Sequence, residues 1–171
     1  MAIYVTSDAH GHVRALDEAL SKISLTSDDT LYVLGDMIDR GPDPVGVIKL
    51  VRSLPNARVL KGNHEQIMLD AIIGQDPLDA ETWDINGGWT TREQLNDMEF
   101  DAYEELVRWM ATLPLCAVAR LTSISPLSFC QVTRNITVRS GSVILSRIRF
   151  FLYWGFALRT GRRVPRTSVT A

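Results

Sequence analysis

The sequence predicts an α/β fold, a layered β-sheet sandwich flanked by helices, and three observations predict it. A short β-prone run, a polar loop and an amphipathic helix follow one another three times within the first 75 residues. Each polar loop opens at the carboxyl end of its strand. Apolar residues make up 46% of the 171 and charged residues 22%, the balance of a globular chain long enough to bury roughly 70% of its unfolded surface.

The first unit begins with Ile3, Tyr4 and Val5, the β-prone centre of Ala2 to Ser7, and breaks at Asp8-Ala9-His10-Gly11-His12. Val13, Leu16, Leu20 and Ile23 then recur at helical spacing. The second unit runs from Leu31–Leu34 into Gly35-Asp36-Met37-Ile38-Asp39-Arg40-Gly41. Its helix has Asp43 as N-cap, Pro44 in the first turn and an apolar face of Val47, Ile48, Val51 and Leu54. In the third, Ala57–Leu60 leads to Lys61-Gly62-Asn63-His64-Glu65, with Ile67, Met68, Ala71 and Ile72 marking the helix behind. A later helix carries Tyr103, Leu106, Val107 and Met110 on one face and stops at Leu113-Pro114-Leu115.

In α/β sheets a ligand crevice lies at the carboxyl ends of the strands. Asp8, His10, Asp36, Asp39, Arg40, Asn63 and His64 are therefore expected to converge there. Such oxygen and imidazole donors suit a divalent cation such as Mn²⁺, Fe²⁺ or Zn²⁺ better than a thiolate-preferring ion. Gly11, Gly35, Gly41 and Gly62 flank the polar residues, where a missing Cβ permits sharp turns and close backbone approach. His12 reads as a residue of the loop or helix start.

Charge is distributed unevenly along the chain. All 20 acidic residues lie within residues 1–105, which are net −12. The remaining 66 residues are net +10, with ten arginines and no Asp, Glu, Lys or His. These arginines are scattered through apolar sequence, so residues 106–171 do not read as a nucleic-acid arm despite the affinity of clustered arginine for phosphate. The periodicity also weakens after Leu113. Cys116 and Cys130 are read as ordinary thiols rather than a disulfide scaffold. The longest apolar run, Phe150 to Leu158, is nine residues, too short to span a membrane, and Met1 to Asp8 lacks the features of a signal peptide, so the expected location is cytoplasmic.

The blocks D-x-H, G-D-M-I-D-R-G-P and G-N-H-E-Q resemble the first three signatures of the calcineurin-like metallophosphoesterases. The unbroken second and third blocks are similar to those of the bacterial and phage serine/threonine protein phosphatases. The resemblance covers roughly residues 1–115 and includes W-D-I-N-G-G-W-T-T at 83–91. It implies two divalent metal ions, with Mn²⁺ expected first and Fe or Zn as alternatives. Asp8 and His10 would hold one metal, Asp36 would bridge the two, and Asn63 would bind the second and touch the substrate phosphate. Arg40 would clamp phosphate oxygens, and His64, oriented by Asp39, would protonate the leaving alkoxide. These roles make chemical sense. Two cations about 3.5 to 4 Å apart stabilise both attacking and leaving oxygens, the planar guanidinium matches two phosphate oxygens, and a carboxylate fixes the tautomer of a histidine acid.

The family also uses two further histidines and another arginine, whereas His10, His12 and His64 are the only histidines here. The second metal site is therefore expected to be incomplete and turnover impaired or absent. The division expected is a metallophosphoesterase core over residues 1–115 and a divergent, arginine-rich tail over 116–171 that is out of frame or otherwise replaced. The substrate expected is a phosphoprotein or small phosphoester, with no membrane partner. The rival readings are a symmetrical dinucleoside tetraphosphate hydrolase and a non-catalytic phosphate-binding remnant. Oligomeric state is left open by the sequence.

Overall fold

The computed structural model describes residues 2–23, 25–74, 76–119, 127–132, 135–139 and 148–150, with side chains through Ala117. The chain begins with β1 (Ile3–Thr6), α1 (Val13–Ile23), β2 (Thr30–Val33), α2 (Pro44–Ser53), β3 (Ala57–Val59) and α3 (Asn63–Ile73). Three further helices follow, α4 (Pro77–Ile85), α5 (Trp89–Asn96) and α6 (Phe100–Thr112). The last described elements are β4 (Cys116–Ala119), β5 (Leu127–Val132), β6 (Asn135–Arg139) and β7 (Ile148–Phe150).

β3, β2, β1 and β7 form one parallel sheet in that order. The predicted β-loop-α units are thus present, and because the strands run parallel all three loops emerge at the carboxyl end of the sheet. β4, β5 and β6 form a separate antiparallel sheet. β7 lies beyond residue 115 and yet adds an edge strand to the first sheet, pairing with β1.

Each strand of the β1–β2 pair sends alternate side chains to opposite faces. Tyr4, Leu31 and Val33 join the main core with Leu16 and Leu20 of α1, Val47, Ile48 and Val51 of α2, and Met68 of α3. Ile3, Val5, Tyr32, Leu34 and Leu60 cluster on the other face. Sheet strands buried on both faces read as continuous apolar runs, which is why period-2 alternation is absent from the sequence here. The Asp43 carboxylate caps α2 by accepting from the Gly46 amide at 2.8 Å, with Pro44 in the first turn, as the sequence predicts.

One expectation from sequence is corrected. Cys116 is disulfide-bonded, not a free thiol. Antiparallel pairing of β4 with β5 sets the Cα of Cys116 directly opposite that of Cys130, a separation within the span of a disulfide. Sequence spacing alone carries no trace of that register.

Candidate active site

The loops after β1 and β2 are zipped together by backbone hydrogen bonds. The amides of Asp8, His10 and Gly11 donate to the carbonyls of Gly35, Asp36 and Met37, and the Asp43 amide donates back to Gly11. The contact is glycine on glycine. A Cβ at Gly41 would stand 2.1 Å from the His10 carbonyl oxygen, and one at Gly11 would stand 2.9 Å from the Gly41 carbonyl carbon.

The third loop is joined to the second by Glu65. This carboxylate is fully buried and accepts three backbone N–H bonds, from Asp36 (2.9 Å), Met37 (2.7 Å) and Gly62 (2.7 Å). Burial, reinforced by the nearby Asp36 charge, pushes its pKa up to about 7 against the pull of those amides. Gly62 is obligatory at this joint, since a Cβ there would lie 2.2 Å from the Asp36 nitrogen.

Five non-glycine residues have positive φ among the described residues: Asp8 (58°), His10 (40°), Asp36 (52°), Asp39 (70°) and Arg40 (68°). All five are residues that the sequence marked for the site. Left-handed backbone costs a non-glycine residue on the order of 1 to 3 kcal/mol and persists only where the surroundings enforce it. The strain is therefore concentrated where the polar side chains meet.

Asp8, His10 and Asp36 present ligand atoms that all lie within 4.8 Å of one another. His10 Nδ1 lies 2.9 Å from the Ile38 carbonyl, so it carries the proton and Nε2 keeps the lone pair. The Asp8 carboxylate is 3.9 Å from that Nε2. Burial is the main cause lowering the His10 pKa below its ordinary 6.5, aided by His64 and Arg40 and opposed by its own hydrogen bond and by Asp36. Two carboxylates and a neutral imidazole with a fixed tautomer fit one divalent cation well. Asn63 is the half-buried first residue of α3.

Because His10 resists protonation, Mn²⁺ affinity is expected to be level above pH 6.5 and to fall only on acidification below that ordinary histidine value. Calorimetric titration across pH checks this. A fall already evident between pH ~8 and ~7 that persists in Glu65→Gln, which removes the neighbouring carboxyl titrating near 7, would assign His10 a raised pKa instead.

His64 stands beside His10 with ring centroids 4.6 Å apart, edge to face. Its Nδ1 is 2.7 Å from Asp39 Oδ2, and its backbone amide donates to Asp36 Oδ1 at 3.0 Å. Asp39 is fully buried and saturated with donors: Trp83 Nε1 reaches both carboxylate oxygens (3.1 and 3.2 Å), and the Thr91 hydroxyl donates to Oδ1 at 2.6 Å. The Asp39 amide in turn donates to the Thr91 oxygen. Sequence reading assigned no role to Glu65, Trp83 or Thr91. Their signal was present, since all three fall inside the quoted blocks, but what each touches depends on contacts up to 52 positions apart.

Arg40 is exposed, with its stem held by the α4–α5 turn. Its amide donates to the Gly87 carbonyl at 3.0 Å and its Nε to the Asn86 carbonyl at 3.4 Å. Its two terminal nitrogens lie 3.1 Å from His10 Nε2 and 2.9 Å from His64 Nε2. Asp8, His10, Asp36, Asp39, Arg40 and His64 are thus brought together, with Asn63 adjacent in sequence to His64. His12 is exposed and takes no part; its carbonyl accepts from Leu16 in the first turn of α1.

Residues 1–148 match the family model of calcineurin-like phosphoesterases. The chain belongs to this family. The match reaches past Leu115 into the arginine-rich stretch. Among similar proteins, the symmetrical bis(5'-nucleosyl)-tetraphosphatase of Erwinia tasmaniensis is 31% identical over 121 residues, covering 69% of this chain and 40% of that protein. Serine/threonine-protein phosphatase 1 of Salmonella typhimurium is 38% identical over 92 residues, covering 53% of this chain and 41% of its own length. A metallophosphoesterase crystal structure from Sphaerobacter thermophilus aligns with a TM-score of 0.49 and 29% identity, over 70% of this chain and 43% of that one. The chain spans about 40% of the length of these curated relatives. Calcineurin-like phosphoesterases use divalent metal ions, and in this member of the family Asp8, His10 and Asp36 form the group able to hold one. Among the described residues no helix is long and apolar enough to cross a membrane.

Proposed function

We propose that this chain binds a divalent cation, Mn²⁺ foremost, at Asp8, His10 and Asp36 and hydrolyses phosphate monoesters whose leaving group is an alkoxide, as in phosphoserine and phosphothreonine. The observation that carries this reading is the Asp39–His64 pair at 2.7 Å, buried and opening onto the same space as His10 and Arg40. A serine or threonine alkoxide is a poor leaving group that benefits from proton donation, whereas ADP departs without one. A dedicated carboxylate-held imidazole therefore favours the alkoxide.

When bound, the cation supplies Lewis-acid charge stabilisation at the phosphoryl group. The chain supplies the rest. Arg40 engages two phosphoryl oxygens through its planar fork. His64 donates a proton from Nε2 to the ester oxygen as the bond from phosphorus to that oxygen breaks and a water oxygen bonds to phosphorus in its place, while Asp39 holds Nδ1–H. Trp83 and Thr91 hold Asp39 in place through their hydrogen bonds to its carboxylate. Asn63, at the start of α3, is assigned to the second cation position and the phosphate, where with Asp36 it leaves that position short of ligands; turnover is accordingly expected to be slow.

The second reading, hydrolysis of symmetrical dinucleoside tetraphosphates, is favoured by the larger number of curated relatives of that type and by their longer matches. Purified protein assayed with Mn²⁺ separates the two. Phosphate release from a phosphoserine peptide faster than ADP formation from diadenosine tetraphosphate is the expected result, and the reverse order overturns the alkoxide assignment.

A further inference from the structure

The guanidinium of Arg40 lies within hydrogen-bond reach of two imidazole nitrogens at once, 3.1 Å from His10 Nε2 and 2.9 Å from His64 Nε2. An arginine has only donors to offer, so both ring nitrogens must be accepting through their lone pairs. The tautomers agree with this. His10 Nδ1 is committed to the Ile38 carbonyl and His64 Nδ1 to the Asp39 carboxylate, which leaves each Nε2 unprotonated.

A neutral imidazole has a single in-plane lone pair at Nε2. It can accept an N–H from Arg40 or ligate a metal, but not both. The stem of Arg40 is fixed by the Asn86 and Gly87 carbonyls, and a Cβ at Gly87 would press on Arg40 Cγ at 2.9 Å. Beyond that fixed stem the guanidinium meets the two histidines.

We propose that Arg40 is an oxyanion-operated latch: docked on His10 and His64 it competes with the metal ion for the His10 Nε2 lone pair, and a tetrahedral oxyanion that draws it away promotes metal binding. The inference rests on the metal-site reading above and adds an order to it. Occupation of the guanidinium by a phosphate-like group frees the His10 nitrogen for the cation, so anion and metal bind with positive coupling that is reciprocal.

Mn²⁺ titration of the full chain tests this by calorimetry, without reference to turnover, in wild type and in Arg40→Gln, each with and without sulfate. In anion-free buffer Arg40→Gln is expected to bind Mn²⁺ about 10-fold more tightly, since a charge-assisted hydrogen bond no longer has to be broken. Sulfate is expected to tighten binding in wild type and to do so less in the variant. Equal or weaker Mn²⁺ binding by Arg40→Gln overturns the latch and leaves the metal site standing. No Mn²⁺ binding by either protein overturns both. If Arg40→Gln does not fold, ring ¹⁵N spectra of metal-free wild type decide: sulfate should shift the His10 and His64 Nε2 resonances together, and unmoved resonances overturn the latch.

Discussion

Asp39→Asn is expected to slow hydrolysis of a phosphoserine peptide by about 100-fold or more, the range for loss of a general acid. The same variant should lose less than about 10-fold on p-nitrophenyl phosphate, whose phenolate departs without help. The difference follows from the pairing of His64 with Asp39, because an amide cannot hold the imidazole as an ionised carboxylate does. Asparagine tolerates the left-handed backbone at φ 70°, so the loop itself should persist. The amide would set an N–H donor against Trp83 Nε1, the Thr91 hydroxyl or His64, at a cost of about 1 to 3 kcal/mol in stability. Circular dichroism verifies that the variant folds before rates are compared. Equal losses on the two substrates would assign Asp39 a purely structural role.

Gly41→Ala is expected to be among the most damaging changes of a single methyl group. Its Cβ would sit 2.1 Å from the His10 carbonyl oxygen, a backbone atom that cannot step aside without unzipping the first loop from the second. Overpacking of this kind costs about 3 kcal/mol, which for a chain of this size lowers the melting temperature by roughly 6 to 12 °C. Mn²⁺ affinity should fall with it, since His10 moves. Gly46→Ala is the control. There the Cβ also comes within 2.1 Å of an atom, but that atom is the Asp43 carboxylate oxygen, the end of a side chain that can rotate. Loss of that cap costs about 1 kcal/mol, and better helix propensity returns a similar amount. A melting temperature for Gly41→Ala equal to that of Gly46→Ala would contradict the glycine-on-glycine contact.

Much of the site was legible in the sequence because its physics is local. Asp8, His10, Asp36, Asp39 and Arg40 sit on loops that follow β-prone runs, and the end of a parallel strand dictates where such loops emerge. Asp43 and Pro44 announce the start of α2 by themselves. What was not legible is long-range. Glu65 looks like one more acid in a helical first turn, until the loops close and its carboxylate collects amides from two of them. Trp83 and Thr91 acquire their meaning from Asp39, 44 and 52 positions away. The β4–β5 register that opposes Cys116 to Cys130 is likewise a property of pairing, not of composition. The docking of Arg40 on two histidines required both tautomers to be fixed by distant partners, which no motif records.

The central claim is that Asp8, His10 and Asp36, the first and last 28 positions apart, are folded into one cation site. Anomalous diffraction from a crystal soaked in Mn²⁺ tests it most directly. A manganese peak is expected at roughly 2.0 to 2.3 Å from His10 Nε2 and from carboxylate oxygens of both Asp8 and Asp36, absent when the same soak is applied to Asp36→Asn. A peak remote from Asp36, or one that survives Asp36→Asn unchanged, would contradict it.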